Sequence, residues 1–211
     1  KLSNRKKDFL EKVFPKLELN EKNINDYITE ISKKKINVSL EIGFGSGENL
    51  LNSINRSEKN RIFIGCEPYL NGLASFISNL QVEKYEKIRL FKSDIRELLS
   101  HLSKQIFDEI FILYPDPWPK ARHEKRRILN KENLNLFLSK LKINGKLFIA
   151  TDVKNYFDSI YQLIENNIKV KIVNFNNFNS RPKKIISTRY EKKALNKKIK
   201  PLYLEVKKIL D

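Results

Sequence analysis

The chain of 211 residues is 40% hydrophobic and 10% aromatic, a balance that is typical of a globular protein and excludes a largely disordered one. Its formal net charge is +17, so we expect an anionic partner, and nucleic acid is favoured over a membrane surface because the sequence has no long basic amphipathic helix. No apolar run reaches membrane-spanning length, while one cysteine and two histidines, far apart, argue against disulfides or structural zinc and favour a reducing, cytoplasmic setting.

The sequence predicts strands that alternate with helices. Short apolar runs typical of buried strands occupy residues 38–43, 61–67, 88–93, 108–114, 146–151, 168–175 and 201–207. Helical spacing of apolar residues is found at 46–54, 69–80, 94–102, 131–142 and 155–167, with Asp94 as an N-cap and Gly145 as a C-terminal stop. This alternation favours parallel βαβ units with helices on both faces of a sheet. No helical pattern separates the last two strands, so one of them is expected to run antiparallel.

The first 36 residues have the pattern of one or two helices outside this alternation, and they begin with a basic stretch, "KLSNRKK". We therefore expect a basic N-terminal helical extension over residues 1–36 and a single domain over residues 37–211. The basic start suggests the hypothesis that the extension becomes ordered on binding RNA.

A glycine-rich loop, "EIGFGSGEN", follows the first predicted strand. An open α/β sheet binds its ligand at the carboxyl ends of its strands, and Gly43, Gly45 and Gly47 permit a close backbone approach to a nucleotide-type cofactor, although such a loop can also merely connect two elements. The spacing is G-x-G-x-G rather than the dinucleotide G-x-G-x-x-G, and Glu48 is a poor neighbour for a pyrophosphate. Glu41, at the end of the strand, favours a cationic ligand group.

Carboxylates also follow the next three predicted strands. Glu67 is placed to accept hydrogen bonds from ribose hydroxyls. Asp94 is either a helix cap or a contact for an adenine amino group. Asp116 is fixed between two prolines, which suits a catalytic or orienting group. Four carboxylates at successive strand ends describe a pocket for S-adenosylmethionine, which carries a sulfonium, an ammonium and a ribose but no phosphate.

Five segments, "EIGFGSG", "GCEPYLNG", "PDPWPKARHEKRR", "ATDVKNY" and "STRYE", resemble motifs of the bacterial tRNA (guanine-N7-)-methyltransferases. The resemblance covers residues 38–207; the segment 115–127 is specific to that family, whereas the glycine loop is generic to methyltransferases. It implies the class I methyltransferase fold, a Rossmann-like, mostly parallel α/β sheet of seven strands with helices on both faces and the last strand antiparallel. It also implies methyl transfer from S-adenosylmethionine to N7 of guanine 46 in the variable loop of tRNA.

The resemblance also implies roles for individual residues. Methyl-donor contacts fall on Glu41, Glu67, Asp94 and Asp116. Substrate contacts fall on Lys120, Asp152, Thr188, Arg189, Tyr190 and Glu191. The RNA-interaction segment comprises Arg122, His123, Glu124, Lys125, Arg126 and Arg127. One departure concerns the segment after "STRYE", where the family commonly has a glycine and "KKALNKKIK" has none, so the loop before the last strand is expected to differ.

The chemistry is consistent with these residues. Guanine N7 carries a free lone pair, so it can attack a sulfonium methyl without a general base and without a metal. Asp116 is expected to act catalytically by stabilising the positive charge that develops on the base. Without the family resemblance, three other interpretations stay open. The segment "KARHEKRR" can be a solvated helix start, Trp118 can support the proline turn rather than stack on a base, and Tyr156 can pack in the core.

Two other classes of protein remain open. A nicotinamide-dependent Rossmann oxidoreductase would share the sheet and the acidic residue after the second strand, but the glycine spacing and the positive charge count against it. A non-catalytic RNA-binding protein would gain nothing from four strand-end carboxylates that repel phosphate. The sequence predicts tRNA as the partner and leaves open whether the protein is a monomer or a homodimer.

Overall fold

The computed structural model describes residues 2–57, 60–102 and 105–211, and the chain divides into two units, Lys1–Ile106 and Phe107–Asp211. Three helices open the first unit: α1 (Asn4–Lys12), α2 (Phe14–Leu17) and α3 (Ile24–Lys33). Phe14 and Leu17 are buried in the same hydrophobic cluster as Phe76. The backbone N–H of Leu19 donates to the carbonyl of Leu90 at 2.8 Å. The N-terminal segment, expected to contain one or two helices, thus has three in its described residues and packs against the rest of the first unit.

Three parallel strands form the centre of the first unit, in the order β3-β2-β1. Their bounds are β1 Asn37–Ile42, β2 Arg61–Cys66 and β3 Ile88–Phe91. Helices α4 (Glu48–Arg56), α5 (Leu70–Asn79) and α6 (Ile95–Ser100) and a 3-10 helix (Val82–Lys87) connect and follow them. Ile42 pairs with Cys66, and Cys66 with Phe91, so the carboxyl ends of the three strands lie side by side.

Four strands belong to the second unit, in the order β4-β5-β7-β6. Their bounds are β4 Phe107–Leu113, β5 Leu141–Thr151, β6 Val170–Ile172 and β7 Leu202–Lys208. The helices are a 3-10 helix (Ala121–Arg126), α7 (Lys131–Lys140), α8 (Lys154–Glu165) and α9 (Arg189–Asn196). β4 is parallel to β5, whereas β7 is antiparallel to β5 and β6. The rings of Phe111 and Phe148 stack at 4.8 Å in the core of this unit.

These seven strands, mostly parallel with the last one antiparallel, confirm the predicted α/β fold class. Helices follow or connect the strands as the alternation predicted. No helix within the described residues is long and apolar enough to cross a membrane.

Two local predictions were wrong. Gly145 is not the stop of α7, because β5 already begins at Leu141 and its register with β4 shifts between Phe107 and Glu109. A side chain at Gly145 would lie 2.8 Å from the carbonyl oxygen of Lys142, so a close backbone approach explains this glycine. The end of α7 is instead satisfied by the buried ammonium of Lys208, which donates to the carbonyls of Leu138 and Leu141 at 2.9 and 3.1 Å.

The second wrong prediction concerns the last two strands, which are separated by α9. Only Glu191 and Ala194 are buried in this helix of 8 residues. Its apolar residues, Tyr190, Ala194 and Leu195, are too few to form a helix-length apolar pattern, and this is why the sequence did not indicate a helix.

Candidate active site

The glycine loop joins β1 to α4, and its shape depends on left-handed backbone. Gly43, Gly45 and Gly47 have φ of 67°, 57° and 75°, a region that residues with a Cβ rarely adopt. A Cβ at Gly47 would lie 2.2 Å from Cδ2 of Phe76, whereas one at Gly43 would meet no atom within 4 Å. The loop is therefore closely packed at Gly47 and open at Gly43, where a ligand can approach the backbone.

Glu41 lies beneath this loop and is buried. Its Oε2 accepts a hydrogen bond of 2.8 Å from the side-chain amide of Asn49 on α4. Burial raises the pKa of Glu41 to about 8, and the hydrogen bond from Asn49 only partly opposes this effect. Glu41 is thus mostly protonated at neutral pH, and a cationic ligand group would favour its ionised form. The pattern of the sequence did not single out Asn49.

Glu67 braces the glycine loop from the end of β2. Its Oε2 accepts from the backbone N–H of Gly45 at 2.7 Å, and its Oε1 accepts from that of Tyr69 at 2.9 Å. On α5, a Cβ at Gly72 would lie 2.6 Å from the carbonyl oxygen of Gly45 and 3.0 Å from Cγ of Glu67. Gly72 is therefore a further part of the site that sequence reasoning missed, although a glycine inside a helical pattern is a signal of close packing.

Asp94 adopts the capping role that was one of its two interpretations. Its Oδ1 accepts from the backbone N–H and from Nε of Arg96, both at 2.8 Å, and its Oδ2 accepts from Nη2 of the same arginine. The side-chain hydrogen bond from Arg96 lowers the pKa of Asp94, and burial opposes this effect. Arg96 is a basic neighbour that the pattern of carboxylates did not anticipate. The adenine contact of Asp94 stays a prediction.

In the second unit, β4 ends in an aromatic corner. Tyr114 has a φ of 54°, its hydroxyl lies 3.2 Å from that of Tyr203, and its ring stacks on Tyr190 at 6.2 Å. Burial is the main cause that raises the pKa of Tyr114, so its phenol stays neutral. Tyr114 thus joins the end of β4 to the "STRYE" segment, and the sequence had assigned it only to the strand.

Asp116 and Lys120 lie on the surface of the loop that follows. Between them, Trp118 has a φ of 42° and packs against its own segment, with His123 edge-on at 5.8 Å and the guanidinium of Arg126 over the ring at 5.0 Å. These contacts favour support of the proline turn as the role of Trp118.

The basic run, residues 122–127, contains several exposed side chains and one buried residue. Arg122, Glu124, Lys125 and Arg126 are exposed on the 3-10 helix, and His123 is half-buried. Arg127 is only 6% exposed. Its Nε donates to the carbonyl of Pro117 at 2.8 Å, and its Nη1 lies 3.1 Å from Oε1 of Glu124. The RNA contact implied for Arg127 stays a prediction, and the structure gives this side chain partners of its own.

The "STRYE" segment starts α9. Oγ1 of Thr188 caps the helix by accepting from the backbone N–H of Glu191 at 3.3 Å. Glu191 is buried and its Oε2 accepts from Arg181 at 3.0 Å. Arg189 and Tyr190 are exposed and joined by a hydrogen bond of 3.0 Å between guanidinium and phenol. Two of the four implied substrate residues thus point inward and hold the segment, while two face solvent.

The structure groups the predicted residues by unit. In the first unit, Glu41, the glycine loop, Glu67 and Asp94 share the carboxyl end of β1–β3. In the second unit, Leu113 pairs with Ala150, so Asp116 and the half-buried Asp152 follow neighbouring strand ends. Within residues 2–57, 60–102 and 105–211, no three His, Cys, Asp or Glu side chains form a group able to hold a metal ion.

The fold is shared with solved methyltransferases. An A1408 methyltransferase of the 30S ribosome from an uncultured bacterium matches with a TM-score of 0.58 and 20% identity, covering 90% of this chain and 96% of that one. An rRNA methylase from Streptococcus thermophilus matches with a TM-score of 0.56 and 11% identity, covering 90% and 99%. At these identities the likeness shows the fold alone, which is that of class I methyltransferases.

Sequence comparison gives the family. Residues 35–203 match the model of a family described as putative methyltransferases. A tRNA (guanine-N(7)-)-methyltransferase of Wolbachia pipientis is 41% identical over 65% of this chain and 62% of its own length, and a bifunctional methyltransferase of Rickettsia conorii is 36% identical over 99% and 38%. The chain thus spans less than two thirds of either relative. A tRNA (guanine-N(7)-)-methyltransferase of Bartonella henselae is 35% identical over 97% of this chain and 90% of its own length. The chain therefore belongs to the tRNA (guanine-N7-)-methyltransferase family.

Proposed function

We propose that this protein transfers a methyl group from S-adenosylmethionine to N7 of guanine 46 in tRNA. The observation that carries the proposal is the pair of buried carboxylates, Glu41 and Glu67, on either side of a glycine loop that is open at Gly43. Carboxylates in that place suit a cationic nucleoside and repel a pyrophosphate. The proposal that the substrate is a guanine of tRNA rests on membership of the family.

The first unit would bind the methyl donor, which supplies an electrophilic methyl group on a sulfonium. Glu41 would ionise beside the ammonium of the donor, since an opposite charge reverses the effect of burial on its pKa. Glu67 would accept hydrogen bonds from the ribose hydroxyls at the end of β2, where it also holds the backbone of Gly45 and Tyr69. Asp94 would receive the adenine amino group beside Arg96.

The second unit would bind the guanine. Nitrogen N7 forms a bond to the methyl carbon as the carbon–sulfur bond breaks, and the sulfonium becomes a neutral thioether. The base becomes cationic and no proton moves, so the step needs alignment and a nearby negative charge rather than a base. Asp116, exposed at the end of β4, would provide that charge, and Asp152 would accept from the guanine N1 and N2 donors. Lys120 would contact the target nucleoside.

Exposed cations of the second unit would hold the RNA phosphates. Arg122, Lys125 and Arg126 form one exposed group on the 3-10 helix. Helix α9 and the residues after it form a second group, made of Lys192, Lys193, Lys197 and Lys198. With a net charge of +17, such surfaces favour a polyanion and predict strongly salt-dependent binding. We further propose that residues 1–36 assist this binding as a helical extension to the domain of residues 37–211, and that the protein acts in the cytoplasm.

Nucleoside mass spectrometry tests the activity directly. Unmodified tRNA incubated with the protein and S-adenosylmethionine should gain 7-methylguanosine, and the same tRNA with adenine at position 46 should not. Absence of 7-methylguanosine from every competent tRNA would refute the proposal. Calorimetric titration with S-adenosylmethionine and with NAD separates the rival classes, because the oxidoreductase would bind NAD and the RNA-binding protein neither.

A further inference from the structure

Arg127 is the last residue of the basic run, yet it differs from the others in its surroundings. The neighbouring Lys125 and Arg126 are exposed, whereas Arg127 is 6% exposed. A guanidinium this buried has little surface left for a phosphate. Its contacts inside the protein therefore indicate its role better than its place in the basic run does.

Three groups of the second unit surround the guanidinium. Nε donates to the carbonyl of Pro117 at 2.8 Å, and Nη1 lies 3.1 Å from Oε1 of Glu124. The planar group also lies over the ring of Tyr156, with Cζ 4.9 Å from the ring centroid. Pro117 directly follows Asp116, so Arg127 fastens the loop one peptide unit away from the carboxylate proposed to act on the guanine.

Tyr156 provides a fixed support for this arrangement. It is fully buried on α8, and its hydroxyl oxygen accepts from the backbone N–H of Leu129 at 3.1 Å. Burial raises the pKa of Tyr156 to about 12, so the ring stays neutral, while the charges of Arg127 and Asp116 act on it in opposite directions. Tyr156 thus gives the guanidinium of Arg127 a buried, neutral ring to lie on.

We infer that Arg127 is a positioning residue that holds the loop of residues 114–118, and with it Asp116, in the geometry needed for methyl transfer, and that it is not a contact for RNA phosphate. This inference rests on the proposed function, because that function defines the role of Asp116. A lysine cannot replace the arginine: its ammonium has no planar face for Tyr156 and cannot present two edges to Pro117 and Glu124. Truncation would leave the carbonyl of Pro117 without its donor.

The test compares Arg127→Lys with Lys125→Gln in the full chain. Positioning predicts that Arg127→Lys lowers the single-turnover rate at saturating tRNA and methyl donor by at least about tenfold. It also predicts that Arg127→Gln, which removes the charge, keeps a tRNA Kd within about threefold of wild type and an unchanged slope of log Kd against log salt concentration. In Lys125→Gln, the loss of one phosphate contact should lower that slope by about one. A reduced slope in Arg127→Gln, with an unchanged saturated rate in Arg127→Lys, would overturn the inference.

A readout independent of activity comes from Trp118, which is the only tryptophan of the chain and lies in the same loop. Arg127→Lys should shift the fluorescence emission of Trp118 and increase its quenching by acrylamide, whereas Lys125→Gln should change neither. Unchanged fluorescence in folded Arg127→Lys would contradict the positioning role even if the wild-type protein makes no 7-methylguanosine. A wild-type protein that makes no 7-methylguanosine would refute the proposed function and leave the fluorescence test of Arg127 valid.

Glu124→Gln keeps the test decisive if Arg127→Lys fails to fold. Glu124 is 56% exposed at its side chain, so its substitution leaves the core intact while it removes the ion pair with Arg127. Positioning predicts a loss of about two- to fivefold in the saturated rate, with an unchanged salt slope. If Glu124→Gln leaves the saturated rate unchanged and binds tRNA more tightly, residues 122–127 act only through their charge, and the positioning role of Arg127 is contradicted.

Discussion

The strand ends of the two units differ in how far their polar groups are already engaged. In the first unit, Glu41, Glu67 and Asp94 all accept hydrogen bonds from neighbouring groups of the protein. In the second unit, Asp116 and Lys120 are exposed. The groups with fixed partners there, such as Arg127 and Tyr156, are buried. The first arrangement is organised for a small ligand of defined shape. The second leaves its charged groups accessible to a macromolecule that brings its own charges.

The two loops also obtain their shape by different means. In the first unit, left-handed backbone falls on glycines, where it costs little. In the second, Pro115 and Pro117 restrict the chain, and left-handed backbone falls on Tyr114 and Trp118. Non-glycine residues persist in that region only where their surroundings hold them, and the aromatic contacts of both rings provide this support. The first loop depends on small residues, and the second on packing.

Asp116→Ala gives the largest expected effect and tests whether the exposed carboxylate acts on the reacting base. We expect the single-turnover rate to fall by about 10²- to 10³-fold, as for other groups that stabilise developing charge, with folding retained. Quench-flow measurement with saturating tRNA and donor provides the rate. Asp158→Ala, which removes a half-buried aspartate paired with Lys154, is the matched control and should be near wild type. Near wild-type turnover by Asp116→Ala would remove the residue from the mechanism.

Gly47→Ala against Gly43→Ala tests whether the first loop is limited by space or by backbone conformation. Both positions require a left-handed φ, at a cost of about 1–2 kcal/mol for alanine. Only Gly47 has Phe76 in the way, which adds about 1–3 kcal/mol of overpacking. Urea unfolding should therefore show the larger loss for Gly47→Ala. Equal losses would mean that the contact with Phe76 does not restrict the loop.

Glu41→Gln tests whether the buried carboxyl is protonated in the free protein. The pKa of Glu41 is about 8 when folded against an ordinary value of 4.5, so between these limits the folded state holds a proton that the unfolded state has lost. Its contribution to stability is complete below pH 4.5 and is lost as the pH rises towards 8, with a slope of up to about 1.4 kcal/mol per pH unit. Denaturant unfolding from pH 5 to 8 should show a flatter profile for Glu41→Gln. If the free energies of unfolding of wild type and Glu41→Gln change in parallel with pH, the pKa of Glu41 is not raised in the folded protein.

Lys193→Gln gives the smallest expected effect and tests whether the open surface extends to α9. The loss of one exposed cation should weaken tRNA binding a few-fold and reduce the slope of log Kd against log salt by about one. Fluorescence anisotropy with labelled tRNA at several salt concentrations measures both. Binding of S-adenosylmethionine should stay as in wild type, since Lys193 is not among the residues proposed to bind the methyl donor. An unchanged salt slope would exclude α9 from the RNA surface.

The order of elements and the places of the strand-end carboxylates were predictable from the sequence. Buried strands such as β2 appear as nearly continuous apolar runs, and parallel strands bring their carboxyl ends to one edge. The partners of those carboxylates were not predictable. Whether Asp94 meets Arg96 or a ligand, and whether Arg127 faces solvent or Tyr156, depends on side-chain directions that tertiary packing decides.

Boundaries failed where the local pattern carries little information. Helix α9 buries two residues, so it resembles a charged loop in the sequence. The start of β5 at Leu141 lies in a polar stretch, and its register shift is a property of the pairing with β4 rather than of the strand itself. Gly72 and Asn49 matter through the atoms they approach: a glycine inside a helical pattern signals close packing, but no pattern in the sequence identifies the loop at Gly45 or the carboxylate of Glu41 as the neighbour.

The link between Lys208 and the end of α7 has a consequence for synthesis of the protein. Residues 138 and 141 leave the ribosome long before the ammonium that satisfies their carbonyls, and β7, to which Lys208 belongs, separates β5 from β6. The first unit has all of its own strands once residue 106 has been made. The second unit can be completed only after residue 208 has emerged, so the edge of β5 that pairs with β7, and β6 itself, wait for their partner strand during translation. In a nascent chain stalled near residue 200, the first unit should accordingly be folded and resist protease, whereas the second should be cleaved or bound by chaperones.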